Sequence, residues 1–148
     1  IEDIMHNTDK LKRILHKENL RYTQQRQEVW DEICASDEHQ DAEGIYNSLR
    51  KRQVNVSRAT VYRTIDVLVK NNLVRRLNLD DGRSRFENKT GIEHHDHIVC
   101  LDCRKIIEFM DGTIEKMQTR IAKEQGFEIV RHVHQLFGRC LDEKCPNK

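Results

Sequence analysis

Apolar residues recur at helical spacing through the first half of the chain. Leu11, Ile14 and Leu15 mark one side of an amphipathic helix over residues 9–18, with a basic outer face. Leu20-Arg21-Tyr22 breaks that pattern. Thr23 is an N-cap residue for a second helix, although Arg26 stands where a capping box would place an acid. Val29, Trp30 and Ile33 form its apolar stripe, which ends near Ala35, and Ser36–Gln40 reads as a loop. Asp41 caps a third helix carrying Ile45, Tyr46 and Leu49. The triplet Arg50-Lys51-Arg52 closes it, as the dipole at a helix C-terminus favours. Ser57 caps a fourth helix with Val61, Ile65, Leu68 and Val69 on its apolar face. Ala59, Thr60, Tyr62 and Arg63 lie on or near the other side of its first turns, and Asn71-Asn72 ends it.

The period then shortens. Leu73–Leu77 and Ser84–Glu87 read as strands joined by the hairpin signal Asp80-Asp81-Gly82. Helices followed by a basic hairpin predict a winged helix-turn-helix. In that arrangement the helix beginning at Ser57 enters the major groove and the hairpin lies against the backbone. Asn88–Glu93 is a connector, and the boundary placed there divides the chain into residues 1–88 and 89–148. In the second domain His97–Cys100 and Lys105–Phe109 read as strands. Asp111 opens a helix whose buried face is Ile114, Met117, Ile121 and Ala122, and Gly126 stops it. A last strand runs from Phe127 to Phe137, followed by a tail with Cys140 and Cys145. The fold class is α+β: an N-terminal winged helix-turn-helix plus a small C-terminal α/β domain. A unit of about 60 residues builds only a meagre core. It needs a metal, a partner subunit or both.

Composition adds little and charge distribution adds more. At 34% charged and 36% hydrophobic, the 148 residues are polar, yet their apolar periodicity excludes a disordered chain. No apolar run approaches the ~20 residues of a membrane span, and no signal segment is visible, so a cytoplasmic setting is the simplest reading. The net charge of +1 favours no partner. From Arg50 to Arg85, however, ten Lys and Arg stand against three acids, a local +7 that suggests a polyanion-binding face.

The chemistry concentrates in one run, His94-His95-Asp96-His97-Ile98-Val99-Cys100-Leu101-Asp102-Cys103. Cys100 and Cys103, separated by two intervening residues, match the clasp of a tetrahedral zinc, and Cys140 with Cys145 supplies a second pair. A redox pair, a loose thiol pair or an iron–sulfur cluster are the alternatives. Cys34 stands alone and reads as a buried small hydrophobe. In a strand, residues two apart share a face. His95 and His97 therefore project together, His94 and Asp96 project oppositely, and His132 pairs with His134 on the later strand. A mixed nitrogen and oxygen shell suits an exchangeable ion such as Fe2+, Mn2+ or Zn2+. His6 and His16 have no such company and read as surface.

HHDHIVCLDC with KIIEF, the strand ending in Cys140, and RATVYRTIDVL in the fourth helix resemble the ferric uptake regulator family, over essentially the whole chain. The resemblance implies a metal-dependent, DNA-binding transcriptional repressor of iron-uptake genes with a C-terminal dimerisation domain. It implies structural Zn2+ on Cys100, Cys103, Cys140 and Cys145. It implies a regulatory site of His39, Glu87, His95, His97 and Glu108, taking Fe2+ with Mn2+ or Zn2+ able to substitute. A further site matches His94, Asp96, Glu115 and His132. The partner is an A/T-rich double-stranded operator, bound by a homodimer, with pairing into a tetramer left open. Tyr62 and Arg63 are the candidates for base contact, and Ser57, Arg58 and Thr60 for phosphate contact. Arg21 matches a basic position that reaches an A·T-rich minor groove. Peroxide-sensing members carry an aspartate where this chain has Glu87, so the iron-responsive branch fits better. A peroxide sensor or a zinc or manganese sensor of the same family is the alternative. A small metalloenzyme is a weaker reading, because the candidate ligands already use the acids that would serve as general base.

Overall fold

A computed structural model describes residues 2–36, 39–79, 82–91, 94–141 and 145, with side chains from Asn7 onward. The chain divides into two compact units, Ile1–Ile92 and Glu93–Lys148.

The first unit contains α1 (Glu2–Lys17), α2 (Gln24–Ala35), α3 (Ala42–Lys51), α4 (Arg58–Lys70) and the hairpin of β1 (Val74–Asn78) and β2 (Ser84–Asn88). Helix α1 starts well before the apolar stripe that marks it. Once a helix is nucleated, each added residue gains a backbone bond without needing an apolar side chain. The early turns are also anchored, because the Trp30 indole N–H donates to the Asn7 carbonyl at 3.3 Å. The expected caps form: Asp41 accepts from the Gly44 amide at 2.7 Å and Ser57 from the Thr60 amide at 3.1 Å. Thr23 accepts from the Arg26 amide at 3.4 Å, the longest of the three, where the capping box is incomplete. Leu11, Leu15, Val29, Trp30, Ile45, Leu49, Val61, Ile65 and Leu68 interlock as the core, and Phe86 of β2 closes it. Helix α4 ends as Asn72 turns into the left-handed region at φ 58°.

The hairpin is tied to the helices by a backbone contact that no local pattern predicts. The Phe86 amide donates to the Gln40 carbonyl at 2.8 Å, bridging β2 to the segment between α2 and α3. The predicted turn residues Asp80 and Asp81, and parts of the Ser36–Gln40 loop, the Asn88–Glu93 connector and the cysteine tail, lie outside the described residues, as does the side chain of His6.

The second unit contains β3 (Asp96–Cys100), β4 (Ile106–Phe109), α5 (Gly112–Glu124) and β5 (Gln135–Gly138). The sheet order is β4-β3-β5, with β4 antiparallel and β5 parallel to β3. Asp111 caps α5 by accepting from the Thr113 and Ile114 amides, which holds its carboxyl below the usual range. Two expectations are corrected. The last strand is not continuous from Phe127; only Gln135–Gly138 is strand, paired with His97–Cys100. Strand β3 begins at Asp96, which that register sets beside His134, so the residues before His134 have no strand opposite to complete a ladder. Helix α5 also has no buried residue in the single chain. Its apolar stripe is present, but Met117 and Ile121 are each 50% exposed, because no other element of the unit lies against it. Val99, Cys100 and Cys145 are the buried apolar residues of this unit among those described, far short of a core.

Candidate metal centres and nucleic-acid face

Strand pairing assembles the cysteines. Cys100 ends β3 in register with Gly138 of β5, and the Leu101 amide donates to the Gly138 carbonyl at 2.8 Å. Cys140 is thereby delivered beside the turn that carries Cys103. That turn closes through the Arg104 amide donating to the Cys100 carbonyl at 3.0 Å, with Arg104 at φ 64°. The four sulfurs of Cys100, Cys103, Cys140 and Cys145 lie within 4.8 Å of one another. Cys103 Sγ and Cys140 Sγ are 3.7 Å apart. A tetrahedron with Zn–S bonds near 2.3 Å has edges of about 3.8 Å, whereas a disulfide bond is about 2.0 Å. Amide donation from Cys103, and then from Asp102, outweighs burial and lowers the Cys100 thiol to about 6. Hydrogen bonding with the Cys100, Cys145 and Cys103 side chains, together with burial, pushes Cys140 up to about 12. Cys100 is thus biased toward the thiolate, and the set gives up protons on taking up a cation. Cys34 is half-buried against the helical core and burial raises it to about 12, so it is an inert packing residue.

Alternation through His94–His97, the run that leads into β3, separates the remaining ligands. His95 and His97 pack edge to face with centroids 4.9 Å apart. His97 sits opposite Glu108 across the β3–β4 ladder and is 2% exposed. His95 Nε2 lies 3.7 Å from Glu108 Oε1. The other face holds His94, Asp96, Glu115 and His132. Asp96 Oδ1 is 3.3 Å from His94 Nε2 and 3.5 Å from His132 Nε2. Glu115 Oε1 is 3.5 Å and 3.4 Å from the same two nitrogens. His132 Nε2 and Glu115 Oε1 are buried and lack hydrogen-bond partners, although these distances are those of ion pairs. Four atoms at such spacing without mutual hydrogen bonds fit ligands converging on one ion. Metal–ligand bonds of 2.0–2.2 Å in a tetrahedron give edges of about 3.3–3.6 Å. His132 reaches this cluster from irregular chain, not from the strand expected for it.

In the first unit the Gln40–Phe86 bridge sets His39 beside Glu87. Their Nε2 and Oε2 atoms are 2.6 Å apart and both side chains are mostly buried. Arg75 Nη1 also reaches Glu87, at 3.1 Å.

The predicted DNA-contacting residues line the start of α4. Tyr62 is 47% exposed. Arg63 is exposed without a partner among the described residues. Ser57 and Thr60 are engaged with each other, their hydroxyls 3.0 Å apart as part of the cap. Arg58 lies over the Tyr46 ring at 4.4 Å, and its Nε donates to both oxygens of Glu43 at 3.1 Å. Tyr62 also reaches Glu43, 3.5 Å from its hydroxyl. Arg21 is exposed, and its carbonyl accepts from the Arg26 guanidinium. The basic surplus of residues 50–85 is partly offset by acids from elsewhere in the chain. Asp41 faces Arg83 and Arg85, Glu32 holds Arg52 at 2.8 Å and Glu18 holds Lys70 at 2.5 Å. One contributor carries no signal in the sequence: Glu43 looks like one more helical surface acid. His134, expected to share a face with His132, lies against Asp96.

A helix-turn-helix unit with an exposed basic helix, joined to a unit built around clusters of metal ligands, defines a metal-dependent DNA-binding transcriptional regulator, not an enzyme. No helix among the described residues is long and apolar enough to cross a membrane. The ferric uptake regulator family profile matches residues 17–137, and the chain belongs to that family. It is 38% identical over 144 residues to the ferric uptake regulation protein of Campylobacter jejuni, covering 95% of this chain and 88% of that protein. Among solved structures it is similar to the Helicobacter pylori ferric uptake regulator, which has three functional metal binding sites. That match has a TM-score of 0.87 at 32% identity and covers 98% of this chain and 95% of the other. The Pseudomonas aeruginosa ferric uptake regulator with manganese matches with a TM-score of 0.75 at 36% identity, covering 86% and 96%.

Proposed function

We propose that this protein is a ferrous-iron-responsive repressor of iron-uptake genes that acts as a homodimer on an A/T-rich operator. The observation that carries the reading is the division of one short strand between two kinds of ligand. Thiolates at its end meet the other cysteines, and the run His94–His97 at its start sends His95 and His97 to one cluster and His94 and Asp96 to another. Soft thiolates suit a structural Zn2+ and the mixed nitrogen and oxygen sets suit an exchangeable ion. Cys100, Cys103, Cys140 and Cys145 hold the structural ion. His39 and Glu87 join His95, His97 and Glu108 as the regulatory set, and His94, Asp96, Glu115 and His132 form a third site. A bound ion supplies the positive charge that lets anionic and neutral ligands from the two units share one coordination shell. His39 and Glu87 sit at the root of the hairpin, so engaging them restrains the DNA-binding unit and favours the arrangement that fits two half-sites.

The apolar residues left open on the second unit support a dimer. Ile107 of β4 and Met117 and Ile121 of α5 are all about half-exposed, and a second copy would cover them. Glu87 favours iron response, because peroxide-sensing relatives use aspartate there. Gel shifts with the cysteine site kept loaded should show operator binding strengthened most by Fe2+ or Mn2+, and less by Zn2+ or Ni2+. Binding indifferent to every ion would overturn the switch.

Base reading is assigned to Arg63 with Tyr62. Arg63→Ala should cost about 1–3 kcal/mol on the cognate operator, as expected for a lost base contact, with little change on unrelated DNA. Equal loss on both sequences would make Arg63 a phosphate contact instead, and competition gel shifts separate the two outcomes.

A further inference from the structure

His134 has no place in any of the ligand sets above, yet its side chain meets the most buried acid of the second unit. Asp96 is 2% exposed, and its two oxygens face different partners. Oδ1 looks toward His94 and His132, while Oδ2 lies 3.3 Å from His134 Nδ1. Two further contacts and the strand register fix His134 in place. Its carbonyl accepts from the His97 amide at 3.3 Å, its ring stands edge to face against Phe109 at 5.8 Å, and it immediately precedes the His97–Gln135 pair of the parallel β3–β5 ladder. That register places residue 134 beside residue 96. A carboxylate can rotate about its terminal bond and present either oxygen, and binding one oxygen stops the rotation.

We infer that His134 is a positioning residue for the third site: its Nδ1–H donates to Asp96 Oδ2 and holds Oδ1 toward His94, Glu115 and His132. This rests on the reading of those four residues as a metal site. A partner of this kind orients a ligand, and losing one typically weakens metal binding by about 10–100-fold. His134 thereby makes the third site tighter than the same four ligands would be alone, which bears on whether it stays filled when the regulatory site empties.

The test is a Co2+ titration of the full-length protein with its cysteine site loaded with zinc. A His97→Ala background silences the regulatory set, and the visible absorption of the bound cobalt is the readout. The parent should bind one Co2+ per chain, and His132→Ala should remove it. His134→Leu should retain the absorption band but weaken binding by about 10–100-fold. His134→Asn, which keeps a donor near the same position, should recover much of the loss. A parent that binds no Co2+ overturns the third site itself and the inference with it. A parent that binds while His134→Leu binds equally well overturns the inference alone. Loss of the absorption band in His134→Leu, with no recovery in His134→Asn, would make His134 a direct ligand and would also overturn the positioning role.

Discussion

Cys103→Ser is expected to release one metal ion per chain and to unfold the second unit while the first stays folded. The second unit buries Val99, Cys100 and Cys145 and little else that is apolar among its described residues, so burial cannot hold it together. The four cysteines join the end of β3, its turn and the tail, and an ion held by them would close all of these into one knot. Structural zinc contributes apparent binding free energies of about 10–16 kcal/mol in small zinc-dependent folds, roughly the whole stability of an ordinary domain. Losing one thiolate forfeits a large part of that. The first unit has its own core around Trp30, the single tryptophan of the chain. The two responses can therefore be read apart. Trp30 fluorescence should melt as in the parent, while hydrogen exchange of the β3 and β5 amides should lose protection. A full complement of metal in Cys103→Ser would remove the assignment. Acid should act like the mutation, because thiolate ligands must be deprotonated to bind.

His97→Ala is the second large effect, and a different one. The variant should keep its cysteine-bound ion and its fold but lose the metal-induced gain in operator affinity. Coupling of this kind is typically 1–3 kcal/mol, or about 5–150-fold; the variant should show none of it. His97 is buried, faces Glu108 across the ladder and touches His95, so its removal would take a ligand from the centre of the proposed regulatory set. Non-specific DNA binding and its salt dependence should not change, since these reflect phosphate contacts on the first unit. If the variant still responds to Fe2+ with the full gain, the regulatory role belongs to another cluster. Zinc content, measured on the same samples, separates this outcome from general unfolding.

The residues from Thr23 to Glu87 could be read with little loss, because each cap and stripe there is a local feature. Asp41, Ser57 and Asn72 do what side chains of their type do at helix ends. The second unit depends more on contacts between residues distant in sequence. A period of two through His132, His134 and Leu136 looks like strand, but strand also requires a neighbour to pair with, and β3 begins only at Asp96, beside His134, so it offers none to His132 and the residues before it. The stripe on α5 lies where its periodicity predicts, and its apolar side chains are not buried in the single chain. Periodicity identifies an apolar face and does not say whether the same chain covers it. The basic count over residues 50–85 had a similar fault, since Glu18, Glu32 and Glu43 approach that region only in the folded unit.

The run from His94 to Cys103 by itself determined that metal ligands of two chemical classes occur here, and that alternate residues of a strand face opposite ways. Those facts follow from side-chain chemistry and from the two-residue repeat of β structure. Which distant residues complete each set was decided only by tertiary structure. Cys140 arrives through the β3–β5 register, Glu115 from the first turn of α5, and His132 and His134 from irregular chain that reaches opposite oxygens of Asp96. His39 meets Glu87 because a single backbone bridge joins Gln40 to Phe86. A coordination shell or an ion pair depends on separations of a few ångströms, and sequence spacing carries no such distance once the chain has turned back on itself.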